Sequence, residues 1–174
     1  MDVDTHKKLQ EILDREAIKD CLYRYCRGVD NADLNCLNSA YWEDAMDCHG
    51  AYQGTASGFI NAAMNSLKNA VVSIHQISNI LIDYHPDLCK VESKFFALQI
   101  YPNNNNNNNL ETQIWGRYAD QFEKRNGIWK IAKRTVIYDW LQENIKESIP
   151  KKERFKLRKP VGCLYPEDPI YSLL

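Results

Sequence analysis

Asp30 and His75 are the pair in this chain whose residue types suit acid–base chemistry. An imidazole held at one ring nitrogen by a carboxylate keeps the other nitrogen free as a general base. His75 stands in Ile74-His-Gln-Ile-Ser-Asn79, where a strand's period of two puts His75, Ile77, Asn79 and Leu81 on one face. Such a lone histidine is a base if a carboxylate reaches it, and a satisfied core residue if none does. Asp30 follows Tyr25-Cys-Arg-Gly-Val29 at the C-terminal end of a helix, where the dipole disfavours a further negative charge. It either serves a site or, like Asp33, caps the next helix. Arg134 alternates with Ala132, Val136 and Tyr138 in a strand. If that face turns inward, its permanent charge needs an anion or a polar substrate atom; if outward, or at a subunit interface, it does not. Tyr25 and Gln99 are further polar candidates.

Other chemistries lack their motifs. There is no glycine-rich phosphate loop, no G-x-S-x-G elbow and no H-E-x-x-H or comparable metal cluster. The six cysteines, at 21, 26, 36, 48, 89 and 163, form no CxxC pair and read as reduced, mostly buried small hydrophobes. With 22 Lys plus Arg against 23 Asp plus Glu, no excess positive field draws nucleic acid or an anionic membrane. The N-terminal stretch alternates charged and apolar residues and lacks the apolar run of a signal peptide or membrane span, so a cytoplasmic protein is expected.

The elements that must position these residues follow from periodicity. Apolar residues recur at helical steps from Leu9 to Val29, after Thr5 as an N-cap. Asp33 caps a short second helix carrying Leu34, Leu37 and Tyr41, and Ser57 caps a third carrying Phe59, Ile60, Ala63, Met64 and Leu67. Between them, 45–53 reads as a short strand and turn. Beyond residue 70 the pattern becomes long β-rich runs at 71–84, 89–101, 110–125 and 128–141. Asn126-Gly127 makes the tight hairpin joining the last two, and His85-Pro86-Asp87 turns the first pair. Asn103 to Asn109 is a run of asparagine that cannot pack a core and marks a loop without assigned function. At 174 residues and 44% hydrophobic content, one domain over 1–145 is expected, with 146–174 as a C-terminal arm. The fold class is α+β: helices packed on a curved antiparallel or mixed sheet, enclosing a pocket between the layers.

Residues Arg15 to Asp30, Tyr41-Trp-Glu-Asp-Ala45, His75-Gln-Ile-Ser-Asn79 and Gly127-Ile-Trp-Lys-Ile131 resemble the SnoaL-like branch of the NTF2-like superfamily, over roughly 10–141. The branch includes scytalone dehydratases, bile acid 7α-dehydratases and hexachlorocyclohexane dehydrochlorinases. The resemblance implies that Asp30 and His75 are a catalytic pair, that Tyr25 and Arg134 assist, and that Gln99, Cys48 and Asn79 face substrate. Val29, Cys48 and Ile100 stand where scytalone dehydratases carry tyrosines and a second histidine, which argues for a less oxygenated ligand than scytalone. The implied activity is a cofactor-independent and metal-independent lyase of the dehydratase type, or an isomerase, on a small hydrophobic cyclic or steroid-like molecule. A homo-oligomer is implied too, a trimer ahead of a dimer. The alternatives are a non-catalytic ligand-binding or assembly module, or a small subunit resembling the β subunit of ring-hydroxylating dioxygenases.

Overall fold

Asp2 opens the first helix by accepting the Thr5 backbone N–H at 2.8 Å. Thr5 therefore lies inside the first turn rather than capping it, and an acid at this end complements the dipole. In the computed structural model, which describes residues 2–103 and 107–173, this helix, α1, runs over Val3–Asn31. It ends where Ala32 turns left-handed at φ 52° and returns its N–H to Gly28. A side chain at Gly28 would collide with Leu37, so glycine there lets α1 approach α2, Leu34–Ala40, closely.

Asp33, and not Asp30, caps α2, accepting from the Cys36 N–H at 3.0 Å. Tyr41, expected in that helix, is instead the first residue of β1, Tyr41–His49. A turn at Gly50, φ 62°, returns the chain as β2, Tyr52–Thr55. Helix α3, Ala56–Leu67, is capped by Thr55 rather than Ser57, through the Gly58 N–H at 3.2 Å. The long strands are β3, Val72–Asp83; β4, Leu88–Asn103; β5, Asn108–Arg125; and β6, Ile128–Glu147.

These strands form a six-stranded sheet in the order β2-β1-β6-β5-β4-β3. Neighbours are antiparallel except β1 and β6, so the sheet is mixed. Asn126 and Gly127, at φ 52° and 80°, form the hairpin tip between β5 and β6. Of the asparagine run, Asn103 pairs with Asn108 and Pro102 with Asn109, so the ladder continues further than expected. Residues 104–106 lie outside the described residues. β6 also passes the expected domain boundary and ends at Glu147. The arm then forms two short helical turns, α4, Lys151–Phe155, and α5, Ile170–Leu173.

Helices and inner sheet face bury one apolar core that includes Ile18, Leu22, Leu37, Phe122 and Ile131. Among the described residues no helix is long and apolar enough to cross a membrane.

One ionic cluster ties α1 to the sheet. Asp14, 3% exposed, receives Lys124 Nζ at 2.8 Å, Tyr84 Oη at 2.8 Å and Gln10 Nε2 at 2.9 Å. Burial works to raise its carboxyl, but Lys124, Trp129, Tyr84 and Gln10 outweigh it and hold the group below the ordinary carboxylate range. A carboxyl depressed in the folded state gives stability that is present above its unfolded value and lost as pH falls through the folded one. Asp14→Asn should therefore cost about 1–3 kcal/mol at neutral pH. In urea titrations the gap from the parent should narrow as pH drops below about 4. A gap that stays constant to pH 2 would contradict the assignment.

Candidate active site

Asp30 and His75 are brought together from positions 45 apart, one in the last turn of α1 and the other in β3. His75 Nδ1 lies 2.6 Å from Asp30 Oδ1, and the backbone N–H of His75 donates to Oδ2 at 2.8 Å. Ser73 adds its hydroxyl to Oδ1 at 3.3 Å. Three donors thus converge on a carboxylate, which can only accept. The pairing assigns the ring proton to Nδ1 and leaves Nε2 as the nitrogen available to a ligand. The His75 side chain is 7% exposed and that of Asp30 19%, so the pair is shielded without being sealed.

His75 lines a solvent-open cavity of about 180 Å³ between the helices and the sheet. Val29, Phe59, Ala63 and Leu67 give it apolar walls, while Ser66, Gln99 and Tyr101 contribute polar groups. Gln99 arrives there because it pairs with Ser73, two residues before His75 on the neighbouring strand. Along the inner face, His75, Ala97, Ile114 and Leu141 form one cross-strand row, so the base has mainly apolar neighbours.

Three other sequence candidates are placed elsewhere. The register between β3 and β4 shifts after Ser78, and Asn79 takes φ 49° there. This bulge turns Asn79 and Leu81 outward and Ile80 and Ile82 inward, breaking the alternation from His75. Asn79 consequently does not line the cavity. Cys48 pairs with Thr135, in the row that continues through Ala119 and Glu92 to exposed Leu81, the face away from the cavity. Tyr25 is fully buried in the core, where its ring packs on Arg134.

Arg134 faces inward but does not line the cavity. A second bulge, at Ala132, places Arg134 on the face of Ile131 rather than that of Ala132. Its side chain is fully buried and grips Asp120 twice, Nε to Oδ1 at 2.8 Å and Nη2 to Oδ2 at 2.7 Å. The guanidinium lies in the corner between the nearly perpendicular rings of Tyr25 and Tyr118, 4.0 and 3.9 Å from their centroids. Burial lifts the phenols of Tyr25 and Tyr118 above their usual range, so both remain neutral rings beside the cation. Among the described residues, Arg134 Nη1 has no hydrogen-bond partner.

Sequence reasoning did not single out Asp120, Asp47 or His49. Asp47 and Asp120 flank Arg134 in register on β1 and β5. Asp47 accepts from Tyr41 Oη at 2.7 Å, and its other oxygen lies 3.5 Å from His49 Nδ1. His49 stacks on Phe59 at 4.4 Å, and Phe59 is a wall of the His75 cavity. An acid at Asp120 between apolar Tyr118 and Phe122 was the available signal.

All six cysteines are free. Burial pushes the Cys21 and Cys26 thiols up to about 11 and about 12, which removes both as nucleophiles at neutral pH. Among the described residues, no three His, Cys, Asp or Glu side chains group as a metal ion would require.

The SnoaL-like domain model matches residues 10–135 of the chain. A search of the curated proteins returned no match. Among solved structures, a hexachlorocyclohexane dehydrochlorinase of type 2 superposes with a TM-score of 0.72 at 22% identity, over 83% of this chain and 98% of that one. A candidate scytalone dehydratase from Novosphingobium aromaticivorans gives 0.69 at 18% identity, over 83% and 98%. A type 3 hexachlorocyclohexane dehydrochlorinase from Novosphingobium barchaimii gives 0.69 at 21%, over 79% and 94%. At these identities the likeness to the solved structures is one of fold.

Proposed function

Because this chain belongs to the SnoaL-like domain family, we propose that it is a cofactor-independent lyase of the dehydratase type, or the related isomerase. Its substrate is a small hydrophobic cyclic or steroid-like molecule. The observation that carries this reading is the 2.6 Å contact between His75 Nδ1 and Asp30 Oδ1 at the wall of a cavity between helices and sheet. Nε2 of His75 takes a proton from a carbon beside an activating group. The C–H electron pair becomes a double bond as the leaving group departs, and Asp30 stabilises the imidazolium so formed. In the isomerase variant the same imidazolium returns the proton to another carbon. Gln99 and Tyr101 line the cavity and offer hydrogen bonds where negative charge develops, and Arg134, paired with Asp120 in the core, assists only through what that pair leaves unneutralised.

The test needs no knowledge of the natural leaving group. Cyclic alcohols, halides and ketones are incubated with the protein in D₂O, without added metal or redox cofactor, and followed by mass spectrometry. An eliminated product or deuterium on carbon supports the reading. If compounds that demonstrably bind neither exchange nor eliminate, the chain is a ligand-binding module instead.

A homo-oligomer, with a trimer ahead of a dimer, also belongs to this proposal. Phe96, Trp115 and Trp140 pair across β4, β5 and β6 on the outer sheet face, with Trp115 38% and Trp140 64% exposed. An uncovered aromatic row of this kind suits a self-complementary contact between copies. Trp140→Glu should shift the sedimenting species to monomer at micromolar concentration. A parent that already sediments as a monomer would refute the oligomer.

A further inference from the structure

Asp30 borders a second cavity, of about 260 Å³ and open to solvent on one side, between the start of β3 and the C-terminal arm, with Lys151 and Arg154 exposed at its rim. The arm is fixed to the end of α1. Tyr165 donates its backbone N–H to the Asn31 carbonyl at 2.7 Å, and Tyr171 Oη donates to Asp33 at 2.9 Å. Arg27 lies 4.7 Å over the Tyr171 ring. The Asp30–His75 pair therefore stands between two spaces, with His75 lining one and Asp30 the other.

The second cavity has an amphipathic lining. Ile74, Ile149, Phe155 and Leu164 give it apolar walls, and Lys151 and Arg154 bring two cations. Its two carboxylates are already occupied. Those of Asp30 accept from His75 and Ser73, and those of Asp168 from the backbone N–H groups of Cys163 and Ile170. Lys151 makes one bond, to the Gly162 carbonyl at 3.2 Å, and Arg154 has no side-chain partner among the described residues. The uncommitted charge facing this space is positive. A guanidinium pairs readily with a carboxylate in two parallel bonds.

We propose that this cavity is a second binding site, separate from the one that His75 lines, and that it takes an apolar ring compound bearing a carboxylate. The apolar body lies against Ile74 and Phe155, and the carboxylate meets Lys151 and Arg154 beneath the arm. Binding there is independent of the lyase reading, since the two cavities share no lining residue.

The experiment titrates the full chain with two fluorescent probes of one shape, 2-naphthoate and 2-naphthylmethanol, at low and high salt. The carboxylate should bind about fivefold more tightly at low salt, and salt should erode the difference. Lys151→Ser/Arg154→Ser should abolish the preference and leave 2-naphthylmethanol affinity unchanged, which also shows that the cavity persists. Phe155→Ala should weaken both probes. Equal affinities in the parent, a preference that survives the double variant, or indifference of both probes to Phe155→Ala would each overturn the proposal. His75→Ala should keep the preference for 2-naphthoate. Loss of the carboxylate preference thus sinks this inference alone, whereas the elimination and exchange assay above decides the lyase reading alone.

Discussion

His75→Ala should lower turnover by about two or more orders of magnitude, the usual scale for a lost general base, while the protein stays folded. The asymmetry follows from position. His75 borders a cavity, so truncating its ring enlarges a space already present, and β3 keeps its backbone pairing with β4. Asp30 is different, since three donors would lose their acceptor on its removal. Asp30→Asn is the cleaner variant: it keeps shape and one acceptor oxygen but disturbs the hydrogen bond that assigns the proton to Nδ1. Its loss should fall mainly in kcat, because an orienting group acts on the chemical step more than on binding. Carbon-bound deuterium exchange gives a second readout, which a purely structural histidine would not move. Near-full activity in His75→Ala would end the acid–base mechanism and leave the binding-module reading.

The placement of that pair was legible because each half rested on a strong periodic signal. Helical spacing carried α1 to Asp30, and the alternation around His75 set the inner face of β3. The same alternation failed four residues later, since nothing in Ser78-Asn79-Ile80 announced a bulge, and Asn79 and Leu81 were assigned to the wrong face. Asp120 was hidden for a related reason. A regular ladder from the Asn126-Gly127 tip sets Asp120 opposite Lys133, and only the bulge at Ala132 moves it opposite Arg134. Caps shifted by two or three residues, Asp2 for Thr5 and Thr55 for Ser57, because neighbouring Ser, Thr and Asp compete for one role and packing selects among them. The arm was the least legible part. Its contacts with α1 join Tyr171 to Asp33 across 138 positions, and no local pattern encodes a pairing at that range.

Asp120→Leu should destabilise the fold by about 3–5 kcal/mol, since it strands a guanidinium that is wholly inside and cannot discard its charge. Arg134→Met should cost less, because the carboxyl it abandons can take up a proton. Burial already raises the Asp120 carboxyl, against the pull of Arg134, and losing the cation removes the main opposing influence. A carboxyl raised in the folded state binds more protons there than in the unfolded chain, so stability falls as pH climbs. The penalty of Arg134→Met should accordingly be small in acid and grow from about pH 4 upward, where the unfolded chain's carboxyl ionises. The double variant Asp120→Leu/Arg134→Met removes both charges and should recover most of the loss, as replacing a buried pair with apolar side chains of similar volume commonly does. Urea titrations of the three variants at pH 4 and pH 7 test this. A double variant no more stable than Asp120→Leu would show that the Tyr25 and Tyr118 stack on the cation, rather than its pairing, holds the core. The double variant also separates the two roles of Arg134. If it folds as well as the parent yet loses turnover, the guanidinium and its unpartnered Nη1 supply charge stabilisation to the reaction; if turnover survives, Arg134 is confined to the architecture.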